Sequence, residues 1–449
     1  MGHRQVDQDH AVKKPPATKP KHTLHQTLRK AFSFLPRPLR FAIYRSFVDC
    51  DPAPDPRLVL KIAETKEELE ACFKLLHDAY VGSGFMKPDP SGMRVTIYHA
   101  LPTTTTLCAK YDDEVVGTIS LIRESVFGFP LQAIFDLKHV REKPGKIAEV
   151  SALAVHPKFR ATGGSILFPL MKFMYQYCAT YFDTRHLVIA VTPNCIEMYE
   201  SLLFFSRLTE THVENYDFAN GAPAVGASLD LRAAPEMLKQ VYSGKSKRKN
   251  LYHYFLRLKL PNIQVPNRRY FTTNDPVMTP ELLDYFFNLR TLGFAHLNER
   301  EKALLHSIYS LPEYKTLLPP VFVDTDLQSS LRQHQRYVIK CPGSFSVTVE
   351  GHTTSYDLKL IEFSEYGFLA HSKVPLPTQV WGEVIIQLGN EERSIVRAVA
   401  VRGRTDGVHG FYGFRLAETD LSWRKFIGAL KSGTTHDDLD NASVFLADE

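Results

Sequence analysis

Between Ile147 and Tyr181 the chain passes from a strand-like run through a glycine turn into a helix, and this junction narrows the folds open to it. Ile147–Val155 is apolar and strand-like. Val155-His-Pro-Lys-Phe-Arg160-Ala-Thr-Gly163-Gly164-Ser165 follows, and Leu167, Leu170, Met171, Met174, Cys178 and Tyr181 then recur at helical spacing. Glycines let backbone amides come close to a ligand, and a helix start adds unpaired N–H groups and a positive dipole end. The turn is therefore suited to a phosphate or pyrophosphate. Pro169 fits, because the first helical turn tolerates a missing donor.

The flanking sequence extends the same alternation. Thr65-Lys-Glu-Glu68 is a capping box opening a helix whose apolar face is Leu69, Cys72, Phe73, Leu76 and Tyr80. Thr106–Lys110 and Val115–Ile122 read as strands of a hairpin turning at Asp112-Asp113-Glu114. Leu187–Val191 is a further strand, Asn194–Leu203 a short helix and Ala224–Leu231 a closing strand. The expected class is α/β (α+β) with a mixed sheet over residues 58–260. A helical connector is expected over 261–327, with helices opening at Thr279-Pro280 and at Asn298. Short alternating strands at Phe345–Val349, Leu358–Ile361, Val384–Leu388, Ile395–Val401 and Gly410–Leu416 predict a small β-barrel over 328–432, and 433–449 is a polar tail.

Charge sets the first 57 residues apart. Residues 1–50 hold ten Lys/Arg against three Asp, more than the whole chain's net charge of +5. Residues 1–23 read as disordered. Residues 24–48 read as a basic amphipathic segment able either to lie on an anionic membrane or to pack on the protein body. The remaining balance gives nucleic-acid binding little support. No run reaches the roughly 18 apolar residues of a membrane span, and no signal peptide is visible, so the expected location is the cytoplasm, with membrane contact open to residues 24–48. The six cysteines lie far apart without a CxxC pair, which argues against a disulfide framework or a zinc site and predicts no metal.

Several motifs carry a family resemblance. Arg160-x-x-Gly163-x-Ser165 after an Ala-Val-His-Pro strand end resembles the acyl-CoA loop of the GNAT (N-acetyltransferase) fold, and Pro193-Asn194-x-x-x-x-Tyr199 resembles its later, tyrosine-bearing helix. Tyr80-Val-Gly-Ser-Gly-Phe85, Gly92-Met-Arg94-Val-Thr-Ile-Tyr98, Pro102-Thr-Thr-Thr105, Val116-Gly-Thr-Ile-Ser120 and Ala148-Glu149-Val-Ser151-Ala-Leu-Ala-Val155 come in the order seen in N-acyl amino acid synthases of the FeeM type, relatives of the autoinducer synthases. The resemblance spans roughly 58–232. It implies transfer of a fatty acyl group from the phosphopantetheine thioester of acyl carrier protein, or from acyl-CoA, to the α-amino group of an amino acid. Ala152 departs from autoinducer synthases, which usually carry Arg there, and this speaks against a homoserine-lactone product.

Amine attack on a thioester needs a base, and Glu149, on the strand before the glycine turn, is the candidate; Tyr199 is the candidate acid for the leaving thiolate. Val155, Arg160, Gly163, Gly164 and Ser165 are the expected pantetheine-phosphate ligands, and Arg94, Thr104 and Ser151 the expected substrate contacts. Phe127, Phe129, Leu131 and Phe135 are candidates for an acyl-chain pocket. Acyl carrier proteins are acidic, so Lys143, Lys146, Lys158 and the Lys245–Lys249 run could dock one.

In the last segment, Arg332-Gln-His-Gln-Arg336 is followed by Glu362-Phe-Ser364-Glu-Tyr-Gly367, two arginines and a Ser/Gly turn suited to phosphate and to the guanine edge. This signature resembles the PilZ domain, which implies cyclic di-GMP as effector, with Arg332, Arg336, Glu362, Ser364 and Gly367 at the site. Glu362 stands where that family normally has Asp or Asn. Two other readings stay open: a non-enzymatic cyclic di-GMP receptor with a degenerate first domain, and a CoA-dependent N-acetyltransferase.

Overall fold

The computed structural model of the protein describes residues 35–160, 162–182, 184–266, 268–272, 278–309, 311–322, 336–389, 391–405 and 410–433. Helix α1 (Arg37–Ser46) precedes an α/β unit of β1 (Leu58–Ile62), α2 (Lys66–Gly82), β2 (Thr104–Tyr111), β3 (Glu114–Arg123), α3 (Lys138–Arg141), β4 (Lys146–Val155), α4 (Leu167–Tyr181), β5 (Thr184–Val191), α5 (Pro193–Leu203), β6 (Ser206–Arg207), β7 (Val213–Tyr216) and β8 (Ala222–Asp230). Two further helices, α6 (Ala234–Tyr242) and α7 (Leu251–Leu256), close it. The eight-stranded sheet runs β1-β2-β3-β4-β5-β8-β6, with β7 on β8, and only the β4–β5 pair is parallel.

Local signals explain several boundaries. Thr65 and Glu68 form the reciprocal capping box that starts α2. Asp112 and Asp113 turn the β2–β3 hairpin with φ of 50° and 64°, the left-handed pair that a tight hairpin needs. The sheet carries core on both faces: Leu107 and Ala109 pack against α4, and Cys108 between them packs against α2.

The segment 261–327 is not a spacer. Its helices α8 (Pro280–Asp284), α9 (Glu299–Ile308) and α10 (Pro312–Lys315), with a π-helical turn at Tyr285–Arg290, share one core with α2. Leu283, Phe286, Phe287 and Leu305 are sealed there against Cys72, Phe73 and Leu76. Ile263 also bridges to Leu60 at the sheet edge.

A closed six-stranded barrel follows: β9 (Tyr337–Val349), β10 (His352–Ser364), β11 (Gly367–Ser372), β12 (Trp381–Gln387), β13 (Arg393–Thr405) and β14 (Gly410–Leu416), ordered β10-β11-β14-β13-β12-β9. Helix α11 (Leu421–Ser432) covers one opening through Trp423 and Phe426. Strands β9, β10 and β13 run 13 residues each, longer than their apolar alternation suggested, because hairpin ends extend past the core.

Residues 24–34 of the N-terminal basic segment lie outside the described residues; the rest forms α1. Its arginines face the protein. Arg37 pairs with Glu200 at 2.8 Å, Arg40 with Glu197 at 2.6 Å, and Arg45 donates to the Ser201 carbonyl at 3.0 Å, all on α5. Among the described residues no helix is long and apolar enough to cross a membrane, and no group of three or more His, Cys, Asp or Glu could hold a metal. Five of the six cysteines are buried and Cys195 is exposed.

Because Leu305 is fully buried against α2, Leu305→Ala is expected to cost about 2–5 kcal/mol. Thermal unfolding followed by hydrogen exchange should show amides of α2 opening along with those of α9; an effect confined to α9 would contradict the shared core.

Candidate active site

Strands β4 and β5 pair in parallel only from Lys146 to Glu149, opposite Thr184–Val188. Beyond that β4 stays with β3 up to Val155, and β5 stays with β8 up to Val191, so the two diverge. A bulge directs the divergence. Ile119 of β3 faces both Ala152 and Leu153, between the pairs Ser120↔Ser151 and Thr118↔Ala154, and Ala152 takes φ 54°. A left-handed conformation is costly for a residue with a Cβ, and bulges of this kind re-aim strands next to functional sites. Past Glu149, the β5-facing backbone groups of β4 are left without a strand partner.

The opening holds a cavity of about 300 Å³, lined along β4 by Glu149, Val150, Ser151, Ala152 and Leu153 and across from it by Thr192, Cys195 and Tyr199. Glu149 is 2% exposed, and its Oε2 accepts a hydrogen bond from the Leu131 N–H at 3.0 Å. Burial pushes its carboxyl up to about 8, against the pull of that bond. Tyr199 stands across the cavity with its ring edge-on to Phe205, and burial pushes its phenol up to about 12.

Elsewhere the cavity is lined by Tyr80, Phe85, Tyr216 and Phe218. Arg94 stands beside them, its guanidinium 4.3 Å from the Tyr80 ring and 4.8 Å from the Phe218 ring, and it donates to the Phe218 carbonyl at 2.8 Å. No carboxylate pairs with it among the described residues, and burial lowers its pKa, which marks a cation held without a counter-charge. The Tyr216 hydroxyl, on a residue 5% exposed, has no hydrogen-bond partner among the described residues. Tyr216 was missed by sequence reasoning, since nothing about a tyrosine in Glu-Asn-Tyr-Asp marks it; the irregular β7–β8 register between Val213 and Tyr216 is what delivers it.

The other expected contacts separate into groups. Ser151 lines the cavity. Thr104 does not: it lies buried on β2, a strand enclosed on both faces, so alternation could not say where its hydroxyl goes. Phe129, Leu131 and Phe135 belong to a separate core with Val188 and Tyr216, and neither they nor Phe127 line the cavity. Val155 ends β4, and Arg160, Gly163, Gly164 and Ser165 lie in the turn past it, all five outside the cavity lining. Gly163 and Gly164 have φ of 66° and 86°, and a Cβ on Gly164 would meet the Phe168 ring at 2.7 Å. Arg160 curls back, its Nε donating to the Val155 carbonyl at 2.8 Å, and the Ser165 hydroxyl bonds that of Thr162. Asp49 reaches the turn as well, and Arg248 holds it at 2.6 Å, so the Lys247–Lys249 turn flanks the glycines.

In the barrel, a second cavity of about 310 Å³ is lined by Arg336, Glu362, Ser364, Tyr366, Gly367 and Arg415. Arg336 pairs with Glu362 at 3.0 Å, and the Ser364 hydroxyl donates to the Gly367 carbonyl at 2.9 Å. Gly367 is required by contact rather than conformation, since a Cβ there would fall 2.3 Å from the Phe414 carbonyl oxygen. Trp423 of α11 secures the turn through the Glu365 carbonyl at 3.1 Å. Arg332 lies outside the described residues.

The raised carboxyl of Glu149 carries a stability cost with a definite sign. An exposed glutamate ionises near 4.5 and Glu149 near 8, so the folded state holds the extra proton between those values and stability falls as pH rises through the window. Glu149→Gln, which keeps the shape without the ionisation, should melt above the wild type at pH 9 and level with it at pH 4; a variant that melts lower at pH 9 would contradict this burial.

Residues 71–230 match the family "N-acyl amino acid synthase FeeM". No curated protein matches the chain. The solved structure of FeeM, an N-acyl amino acid synthase from uncultured soil microbes, aligns at 22% identity with TM-score 0.35, over 40% of this chain and 95% of that one. The acyl-homoserine-lactone synthase LasI aligns at 21% identity with TM-score 0.34, over 42% and 96%. A GNAT-family acetyltransferase from Streptococcus pneumoniae aligns at 12% identity with TM-score 0.29, over 38% and 98%. On the strength of its family match, the segment 71–230 is an N-acyltransferase domain of the N-acyl amino acid synthase family.

Proposed function

We propose that the protein moves a fatty acyl group from a pantetheine thioester, carried by acyl carrier protein or CoA, to the α-amino group of an amino acid, and that cyclic di-GMP bound at the barrel tunes this activity. The observation that carries the enzymatic part is the buried Glu149 at the apex of the β4–β5 opening, in a cavity whose Tyr80 and Phe218 rings hold the Arg94 guanidinium behind them. A buried carboxyl on the cavity and a part-buried cation beside its aromatic wall suit a ligand carrying the opposite pair of charges, an amine for Glu149 and a carboxylate for Arg94.

The chemistry then follows in order. The pantetheine arm lies along the unpaired edge of β4, whose N–H groups also face the developing oxyanion. Glu149 takes a proton from the amine as nitrogen attacks the thioester carbon. The C–N bond forms, the C–S bond breaks, and the thiolate leaves. Tyr199 keeps its proton at neutral pH, so its part is a hydrogen bond to the departing sulfur rather than complete proton transfer. The glycine turn, with its left-handed glycines next to the start of α4, takes the phosphate.

Two observations support regulation. The barrel pocket brings Arg336, Arg415, Ser364 and Gly367 around a space sized for part of a dinucleotide. The strap 268–272 joins the two units: Tyr270 is buried on Phe426 of the barrel, while Arg268 bonds Tyr177 and stacks on Tyr181 of α4, the helix that begins at the glycine turn.

With acyl carrier protein thioesters and a panel of amino acids, the acylation rate should rise with pH to a plateau above about 8, as Glu149 gives up its proton. Glu149→Gln should lower kcat about 10²–10⁴-fold. Arg94→Ala should raise KM for amino acids and abolish the preference over their amides; no acylated product under any condition would refute the reading. For the effector, Arg336→Ala should weaken cyclic di-GMP binding about ten- to hundred-fold by calorimetry, and an unchanged affinity would remove the barrel from the proposal.

A further inference from the structure

The cavity at the β4–β5 opening does not end at Glu149. A second arm runs beneath the sheet, walled by Met171 and Met174 of α4 and by Leu231, Ala234, Leu238 and Phe255. All six are apolar. Met171, Leu231, Leu238 and Phe255 each keep 6–9% exposure, while Leu170 and Phe173, their neighbours on α4 and in the core, keep none. The arm follows the seam between two core clusters, one centred on the sheet and α4, the other on α6 and α7. Ala234, Leu238 and Phe255 belong to α6 and α7, which follow residue 230, where the family match ends.

A buried lysine fixes this helical pair. Lys172 of α4 is fully enclosed, and its Nζ donates to the carbonyls of Tyr254 at 2.6 Å and Phe255 at 3.1 Å, the last turn of α7. Those carbonyls are the negative end of the helix, so the ammonium is matched by dipole and hydrogen bonds without a carboxylate. Such a cation is costly to bury unless held in place, and the consequence is that Phe255 is set at a defined distance from α4. Two flexible methionines facing a fixed aromatic wall make a channel suited to an unbranched alkyl chain.

We infer that α6 and α7 cap the acyl arm and set the chain length the enzyme accepts, with Leu238 and Phe255 as the residues that stop the chain. This rests on the thioester-donor reading above and adds to it the part of the chain that measures the substrate. A saturated acyl tail enters past Glu149, lies between Met171 and Met174, and ends against Phe255. Each methylene buried before the wall is reached should raise affinity about four-fold, and methylenes beyond it should add nothing.

The test measures binding of a series of S-acyl-pantetheine thioesters, from four to eighteen carbons, to the full-length chain by calorimetry. Wild type should show a rise with chain length and then a break. Phe255→Ala should move the break at least two carbons longer, and Leu238→Phe, which fills the arm, should move it shorter. Shifts in opposite directions cannot come from general destabilisation, and melting curves confirm that both variants fold. If both fold and the break stays in place, the cap is refuted. If the break moves as stated but no amino acid is acylated, the cap stands and the acyltransfer reading falls; if acylation proceeds with an unmoved break, the reverse holds.

Discussion

The parting of β4 from β5 after Glu149 and Val188 is the constraint on which the rest of the site depends. A sheet that stops pairing in its middle leaves N–H and C=O groups that must be satisfied by something else. The bulge at Ile119 opposite Ala152 and Leu153 makes this possible, because it lets β4 turn from β5 while keeping its bonds to β3. The strained Ala152 thus exchanges local backbone energy for an edge that a ligand's amides can complete. Glu149 is the last paired residue, so it sits buried at the apex of the opening and lines the cavity there.

Three features of the cavity are unfavourable for the empty protein. Glu149 is buried where ionisation is costly, the Tyr216 hydroxyl lacks a partner among the described residues, and Arg94, part-buried behind Tyr80 and Phe218 of the cavity wall, has no carboxylate partner among them. A chain selected only for stability would replace them with apolar groups of similar shape. Their concentration in and beside one cavity is therefore better explained by a ligand than by folding, and it sets a polar end of the cavity apart from an apolar arm.

Legibility in the sequence followed from how local each signal is. The Thr65–Glu68 box, the Asp112-Asp113 turn and the Gly163-Gly164 turn are written in three or four adjacent residues, and each appears where it was read. Glu149 could be placed on a strand before the turn, but its position at the apex depends on which strand β4 abandons, a fact about pairing and not about alternation. Thr104 failed for the converse reason: when both faces of β2 are buried, no polar–apolar rhythm remains to orient it. Strands β6 and β7, two and four residues long, are too short to show a rhythm, and Tyr216 was lost with them. The helices of 261–327 were legible as helices, but their apolar faces gave no hint that α2 was their partner.

The barrel poses a question of magnitude. Arg336 is half-exposed and its pair with Glu362 is a surface ion pair, worth about 0–1 kcal/mol. A phosphate taking Arg336 away from Glu362 therefore gives up little, so the longer carboxylate at 362 does not by itself forbid an anionic ligand. Glu362 would bear on selectivity instead, because a ligand that opened the pair would have to offer an anion to Arg336 and a donor to the released carboxylate. A guanine next to a phosphate supplies both, through its ring N–H groups and the phosphate oxygens. Transmission to the acyltransferase is a separate matter, and the strap at Arg268 and Tyr270 limits how it could occur. A change in the barrel that shifted Tyr270 would act on the Tyr177–Tyr181 end of α4, while the glycine turn stands at the other end of the same rigid helix. Coupling of that kind needs two arrangements of one packed element rather than a chain of contacts, and any second arrangement of α4 would have to keep or break the bonds of Lys172 to the Tyr254 and Phe255 carbonyls.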